Sequence, residues 1–89
     1  MFPRKISIEE LRRIISEVNP AAEAWLGDAH VNLLEIGALD SFNITELITE
    51  LEKRYGITIL AADILVENFH SIQALLDLLV SRYGFEPIS

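Results

Sequence analysis

Asp40 and Ser41 stand side by side in the stretch G-A-L-D-S-F, residues 37 to 42, where a helix-forming run begins. A serine hydroxyl is a strong nucleophile only when a base takes its proton. A helix start offers it something different: outward N–H groups and the positive end of the helix dipole, which favour an attached anion. Nothing nearby in sequence suggests a Ser-His-Asp arrangement around Ser41, so the residues argue against a hydrolase built on it. The plain alternative is that Ser41 or Asp40 only caps the helix, worth about 1 kcal/mol.

The remaining chemistry is sparse. His30 and His70 have no companion at metal-ligand spacing and read as surface or packing residues. Cysteine is absent, which removes disulfides, thiolate metal sites and any thiol nucleophile of the chain's own. No catalytic residue and no metal site is expected.

The elements that position Ser41 read as helices. Ser7 and Glu10 have capping-box spacing, and Leu11, Ile14, Ile15 and Val18 share one face, predicting a first helix that ends near Asn19-Pro20. From Ala21 to Leu39 the periodicity weakens, predicting a long ordered loop whose Trp25, Leu33, Leu34 and Ile36 plug the core. A second helix is predicted from Ser41 to Tyr55, with Ile44, Leu47, Ile48, Leu51 and Tyr55 as its apolar stripe and Gly56 as its left-handed cap. Ile57, Thr58 and Ile59 suit an extended connector, and a short third helix is placed around Ala61 to Glu67. The last helix starts at Ser71, carries Ile72, Leu75, Leu76, Leu79, Val80 and Tyr83 inward, and ends at Gly84. Trp25, Tyr55, Phe69 and Tyr83 read as core or core-edge aromatics. With no strand pattern, the expected fold class is all-α: a small four-helix bundle of three main helices, one short helix and a long first loop.

A chain of 89 residues, 51% of them apolar, suffices for one core. A single domain over residues 1–89 is expected, with its core at about 7–84 and residues 85–89 as a tail. No apolar run approaches the roughly 20 residues that cross a bilayer, and the first ten residues make a poor secretion signal, so a soluble, cytoplasmic protein is expected. The net charge of −7 is concentrated: no Lys or Arg lies between Arg13 and Lys53, an interval that holds eight acidic residues from Glu17 to Glu52. Phosphates would be repelled, which argues against nucleic acid, and a basic protein surface is the natural partner. Nothing in an acidic domain of this size calls for self-association, so a monomer is expected.

The stretch L-L-E-I-G-A-L-D-S-F-N-I-T-E-L-I-T-E-L-E-K-R-Y-G-I-T-I, followed by E-N-F-H-S-I, resembles the acyl carrier protein family. A Gly just upstream of Asp-Ser, a Leu-x-x-x-Leu-Glu helix after it, an aromatic-Gly-Ile ending and then Glu67-Asn68-Phe69 carry the resemblance. It implies a carrier, not an enzyme, with 4'-phosphopantetheine moved from coenzyme A onto Ser41 by a separate Mg²⁺-dependent phosphopantetheinyl transferase. Asp40 would then help bind the transferase and its metal. The arm's thiol would hold an acyl or aminoacyl group as a thioester, for fatty-acid, polyketide or related biosynthesis. The extra residue in G-A-L-D-S is similar to D-alanyl carrier proteins and other stand-alone carriers, which leaves a D-alanyl or aminoacyl carrier as an alternative. An unmodified adaptor that keeps the carrier fold and acts by protein contact alone is a further one. Phe42, where Leu or Met is common in the family, and Lys53-Arg54, which interrupt an often acidic helix end, bear on partner choice.

Projecting the second helix at about 100° per residue separates Phe42, Glu46, Thr49, Glu50 and Lys53 from the apolar stripe. Phe42 is therefore expected to anchor partner enzymes, with Glu46 and Glu50 meeting the Arg or Lys of loading and acyl-transfer enzymes. The bland alternatives are an ordinary solvated face for the two glutamates and a Phe42 folded back on the first loop.

Overall fold

The computed structural model describes residues 4–88. Ser7 caps helix α1 (Ile8–Val18), its hydroxyl accepting the Glu10 N–H at 3.1 Å. The expected reciprocal bond is not made: the Glu10 carboxylate reaches Arg13 at 3.2 Å instead. Leu11, Ile14 and Ile15 face inward, three and four apart as a helix against a core requires. Asn19 closes α1, and Pro20 opens a 3-10 helix over Pro20–Trp25, where its missing N–H costs nothing.

The loop to residue 40 is ordered by its own polar groups, but it does not bury all four expected plugs. Leu33 is buried and Leu34 half-buried, whereas Trp25 is 52% and Ile36 40% exposed. Ala22 and Leu26 take the inward positions around Trp25. Ile36 is turned outward by a tight turn in which Asn32 Oδ1 accepts from the N–H groups of Leu34 and Glu35, at 3.1 and 3.0 Å. Trp25 is thus not a core aromatic, while Phe69 is, and Tyr55 and Tyr83 sit at the core edge.

Helix α2 (Ser41–Tyr55) buries Leu47 and Leu51 and half-buries Ile44, Ile48 and Tyr55. Gly56 ends it at φ 65°, a left-handed conformation that costs a glycine little. The expected short helix at Ala61 to Glu67 is divided: a 3-10 turn at Ala61–Asp63, extended backbone at Leu65, then α3 (Val66–Phe69). The division follows from Asp63, whose side chain is drawn inside to Tyr83 and Arg82. Ser71 caps α4 (Ile72–Arg82), the most buried helix, which packs with α1 and α3, while α1 also packs on α2.

The absence of strands expected from sequence is corrected at the two ends. β1 (Arg4–Ser7) and β2 (Phe85–Ile88) pair in parallel, from Arg4 opposite Phe85 to Ser7 opposite Ile88. A parallel pair needs a long crossover, here the whole helical bundle. Ile6 and Phe85 point inward, and the Phe85 ring meets Tyr55 edge-on with centroids 5.1 Å apart. Residues 85–88 are therefore a structural element and not a tail. The mostly helical architecture is a small bundle with this two-stranded sheet added at its base.

Candidate functional site

Ser41 is the first residue of α2 and is exposed. Asp40, just before it, is the N-cap: its Oδ1 accepts the Asn43 N–H at 2.8 Å, and Asn43 Oδ1 accepts the Asp40 N–H at 3.1 Å. Capping therefore falls to Asp40 and Asn43, and the Ser41 hydroxyl is not used for it. Among the described residues no side chain is hydrogen-bonded to Ser41 Oγ.

The approach to Ser41 is fixed by the core. Ala38 and Leu39 are buried, the Leu39 N–H donates to Leu33 C=O at 3.1 Å, and Asn19 Nδ2 donates to Ala38 C=O at 2.7 Å. Leu33 in turn donates to His70 C=O at 2.6 Å, tying this loop to the start of α4. The serine is thus held outward on a braced corner, a geometry suited to a modification that another protein must reach.

Phe42 is 68% exposed and does not fold onto the first loop. Glu46 and Glu50 are half-buried and lie with Glu17, Val18 and Arg54 along the cleft between α2 and α1. Arg54 Nε pairs with Glu50 at 3.1 Å, and its terminal nitrogen pairs with Glu17, linking the two helices. Those two carboxylates hold the Arg54 guanidinium above its usual range. The structure thus brings Asp40, Ser41 and Phe42 together at one corner and turns Glu50 toward α1.

On the other side of Ser41, Ile44, Thr45, Ile48 and Thr49 of α2 face Ile64 across a mainly apolar groove of about 400 Å³. Sequence reading singled out neither Ile64 nor Asn43. Asn43 had a local signal, since it stands three residues after Asp40 as the second member of a capping box does. Ile64 had none, because its place opposite α2 depends on the path of the connector.

Among the described residues no three or more His, Asp or Glu side chains are grouped to hold a metal, and no helix is long and apolar enough to cross a membrane. The chain matches the family model for the phosphopantetheine attachment site over residues 9–79, and it belongs to that family. No curated protein and no solved structure matches it. It is accordingly a phosphopantetheine-bearing carrier protein, not an enzyme, and works with phosphopantetheinyl transferases and biosynthetic enzymes. The group is covalently attached 4'-phosphopantetheine, and an exposed serine hydroxyl at a helix start, with first-turn amides to face a phosphodiester, fits such a group.

Proposed function

We propose that Ser41 carries the 4'-phosphopantetheine and that the chain presents an acyl or aminoacyl group to partner enzymes in fatty-acid, polyketide or related biosynthesis. One comparison carries the assignment. The family match spans three serines, Ser16, Ser41 and Ser71. Ser16 lies inside α1 with its hydroxyl bonded to Arg13 C=O at 2.8 Å, and Ser71 is 4% exposed and occupied in capping α4. Ser41 alone of the three is exposed and uncommitted.

When bound, the group supplies a thiol on a flexible arm, able to hold its cargo as a thioester, which the cysteine-free chain lacks. The chain's own residues do the rest. Asp40 and Asn43 define where α2 starts, Ala38 and Leu39 anchor the preceding backbone, and the first-turn amides face the added negative charge. The base that takes the Ser41 proton belongs to the transferase. Asp40, exposed beside Ser41, is placed to face that enzyme and its metal. Phe42, flanked by Glu46 and Glu50, is the contact for basic enzyme surfaces; the Glu50–Arg54 pair is exposed enough to be exchanged for a partner's arginine, since such pairs are worth under about 1 kcal/mol.

The test is intact mass after incubation with coenzyme A, Mg²⁺ and a broad-specificity phosphopantetheinyl transferase. One phosphopantetheine is gained by the natural chain and none by Ser41→Ala. A natural chain that several transferases leave unchanged would instead be an unmodified adaptor.

A further inference from the structure

Asp63 is 6% exposed, although a buried carboxylate is costly unless it is paired. Its Oδ2 accepts the Tyr83 hydroxyl at 2.6 Å, and its Oδ1 pairs with Arg82 Nε at 2.9 Å. The Tyr83 oxygen also accepts the Leu60 N–H at 2.9 Å. Asp63 C=O accepts Asn68 Nδ2 at 2.8 Å and the Leu65 N–H at 3.0 Å. The turn from Leu60 to Leu65 is therefore pinned at Leu60, at both oxygens of the Asp63 carboxylate and at the Asp63 carbonyl, all toward α3 and the end of α4.

Only the carboxylate of this network is buried, the Arg82 side chain being 55% exposed, and such a pair adds little stability compared with apolar packing; its bonds do fix where the turn lies. The geometry defined here has a consequence at Ser41. Every lining residue of the groove beside Ser41 except Ile64 comes from α2. One helix face is convex, so the concavity exists only because Ile64 stands opposite it. Ile64 follows Asp63 directly and lies inside the pinned turn.

We propose that Asp63, Tyr83 and Arg82 are positioning residues for the group borne on Ser41: by pinning the Leu60–Leu65 turn they hold Ile64 as the outer wall of the groove, and the apolar part of the arm nearest its attachment lies in that groove. This rests on the reading of Ser41 as the attachment residue. The part concerned is the gem-dimethyl segment of the phosphopantetheine, an alkyl group that finds Ile44, Ile48 and Ile64 along the groove.

Two measurements on the full chain test it. In the unloaded protein, Tyr83→Phe keeps the ring and removes the hydroxyl, so amide hydrogen exchange at Leu60 and Ile64 rises about fivefold, the shift that one net hydrogen bond carries, while exchange in α1 is unchanged. In the loaded protein, nuclear Overhauser contacts join the gem-dimethyl protons to the Ile64 methyls in the natural chain and in Ile48→Val, and weaken in Tyr83→Phe. Ile64→Ala, which leaves the pinning intact, loses the contacts to Ile44 and Ile48 as well. Contacts at full strength in Tyr83→Phe, with or without faster exchange, or their absence from the natural chain would each overturn the proposal. Failure of the attachment reading shows separately, as no mass gain on the natural chain, and removes the role assigned here even if the exchange effect is seen.

Discussion

Asp40 and Asn43 exchange hydrogen bonds across the start of α2, each side chain accepting the other's backbone N–H. Ser41 lies between them with no part in the exchange, so the helix start is stable without its hydroxyl. Ser41→Ala is expected to leave the thermal midpoint nearly unchanged. Asn43→Ala and Asp40→Ala each lower stability by about 1 kcal/mol in urea denaturation. Asp40→Asn separates the two roles of that residue: it keeps a capping oxygen, so stability is largely retained, while transferase loading slows if the charge faces the enzyme's metal. Unslowed loading would confine Asp40 to capping.

The Tyr83 hydrogen bond, ahead of the Arg82 pair, holds the Asp63 carboxyl below the usual carboxylate range, against a burial effect in the opposite direction. A depressed folded value favours the charged form in the fold. The stabilisation is therefore complete above the unfolded carboxylate value, about 4, and is lost as pH falls from there through the lower folded value. Natural protein and Asp63→Asn should differ in urea midpoint at pH 7 and converge in strong acid. At the alkaline end burial, then the bond to Asp63, raises the Tyr83 hydroxyl. Its contribution is present below about pH 10 and declines above that as the pH approaches the raised folded value, which ultraviolet titration of the phenol reads directly.

Phe85 closes the base of the bundle against Tyr55, and Arg4 Nε donates to the Tyr55 carbonyl at 3.0 Å. Both chain ends thus grip the last turn of the helix that carries Ser41. Phe85→Ala is expected to cost about 3 kcal/mol, as for other buried aromatic truncations. Ending the chain at Gly84 should cost at least as much, and hydrogen exchange should rise first at the C-terminal turn of α2. A truncated chain as stable as the full one would mean that the sheet holds nothing.

Phe42 has little to lose in the isolated protein, being mostly solvent-exposed. Phe42→Ala should change stability by under about 0.5 kcal/mol. Affinity for the transferase or a downstream enzyme should fall at least about tenfold, the loss expected when an interface anchor is truncated. Titration calorimetry with both variants reads this, and unchanged affinity would remove Phe42 from the interface.

Local signals were legible in the sequence because their physics is local. Ser7, Ser71 and Gly56 mark helix ends through bonds and dihedral angles spanning three or four residues, and the apolar stripes of α1, α2 and α4 follow from helical period alone. The Asp-Ser pair at the start of α2, and the family resemblance around it, were legible for the same reason. What the tertiary structure decided depends on residues far apart in the chain. Four residues with one strong apolar position, such as Arg4–Ser7, become a strand only when Phe85–Ile88 lies beside them. Trp25 and Ile36 are as apolar as Leu33, and which of them enters the core was settled by loop turns and by the space that Ala22 and Leu26 had already taken. Asp63 and Ile64 show no periodic or capping pattern, and Tyr83, legible as part of the apolar stripe of the last helix, carried no sign of its partners; they meet because α4 runs back past the connector, so their partnership is a property of the packed bundle.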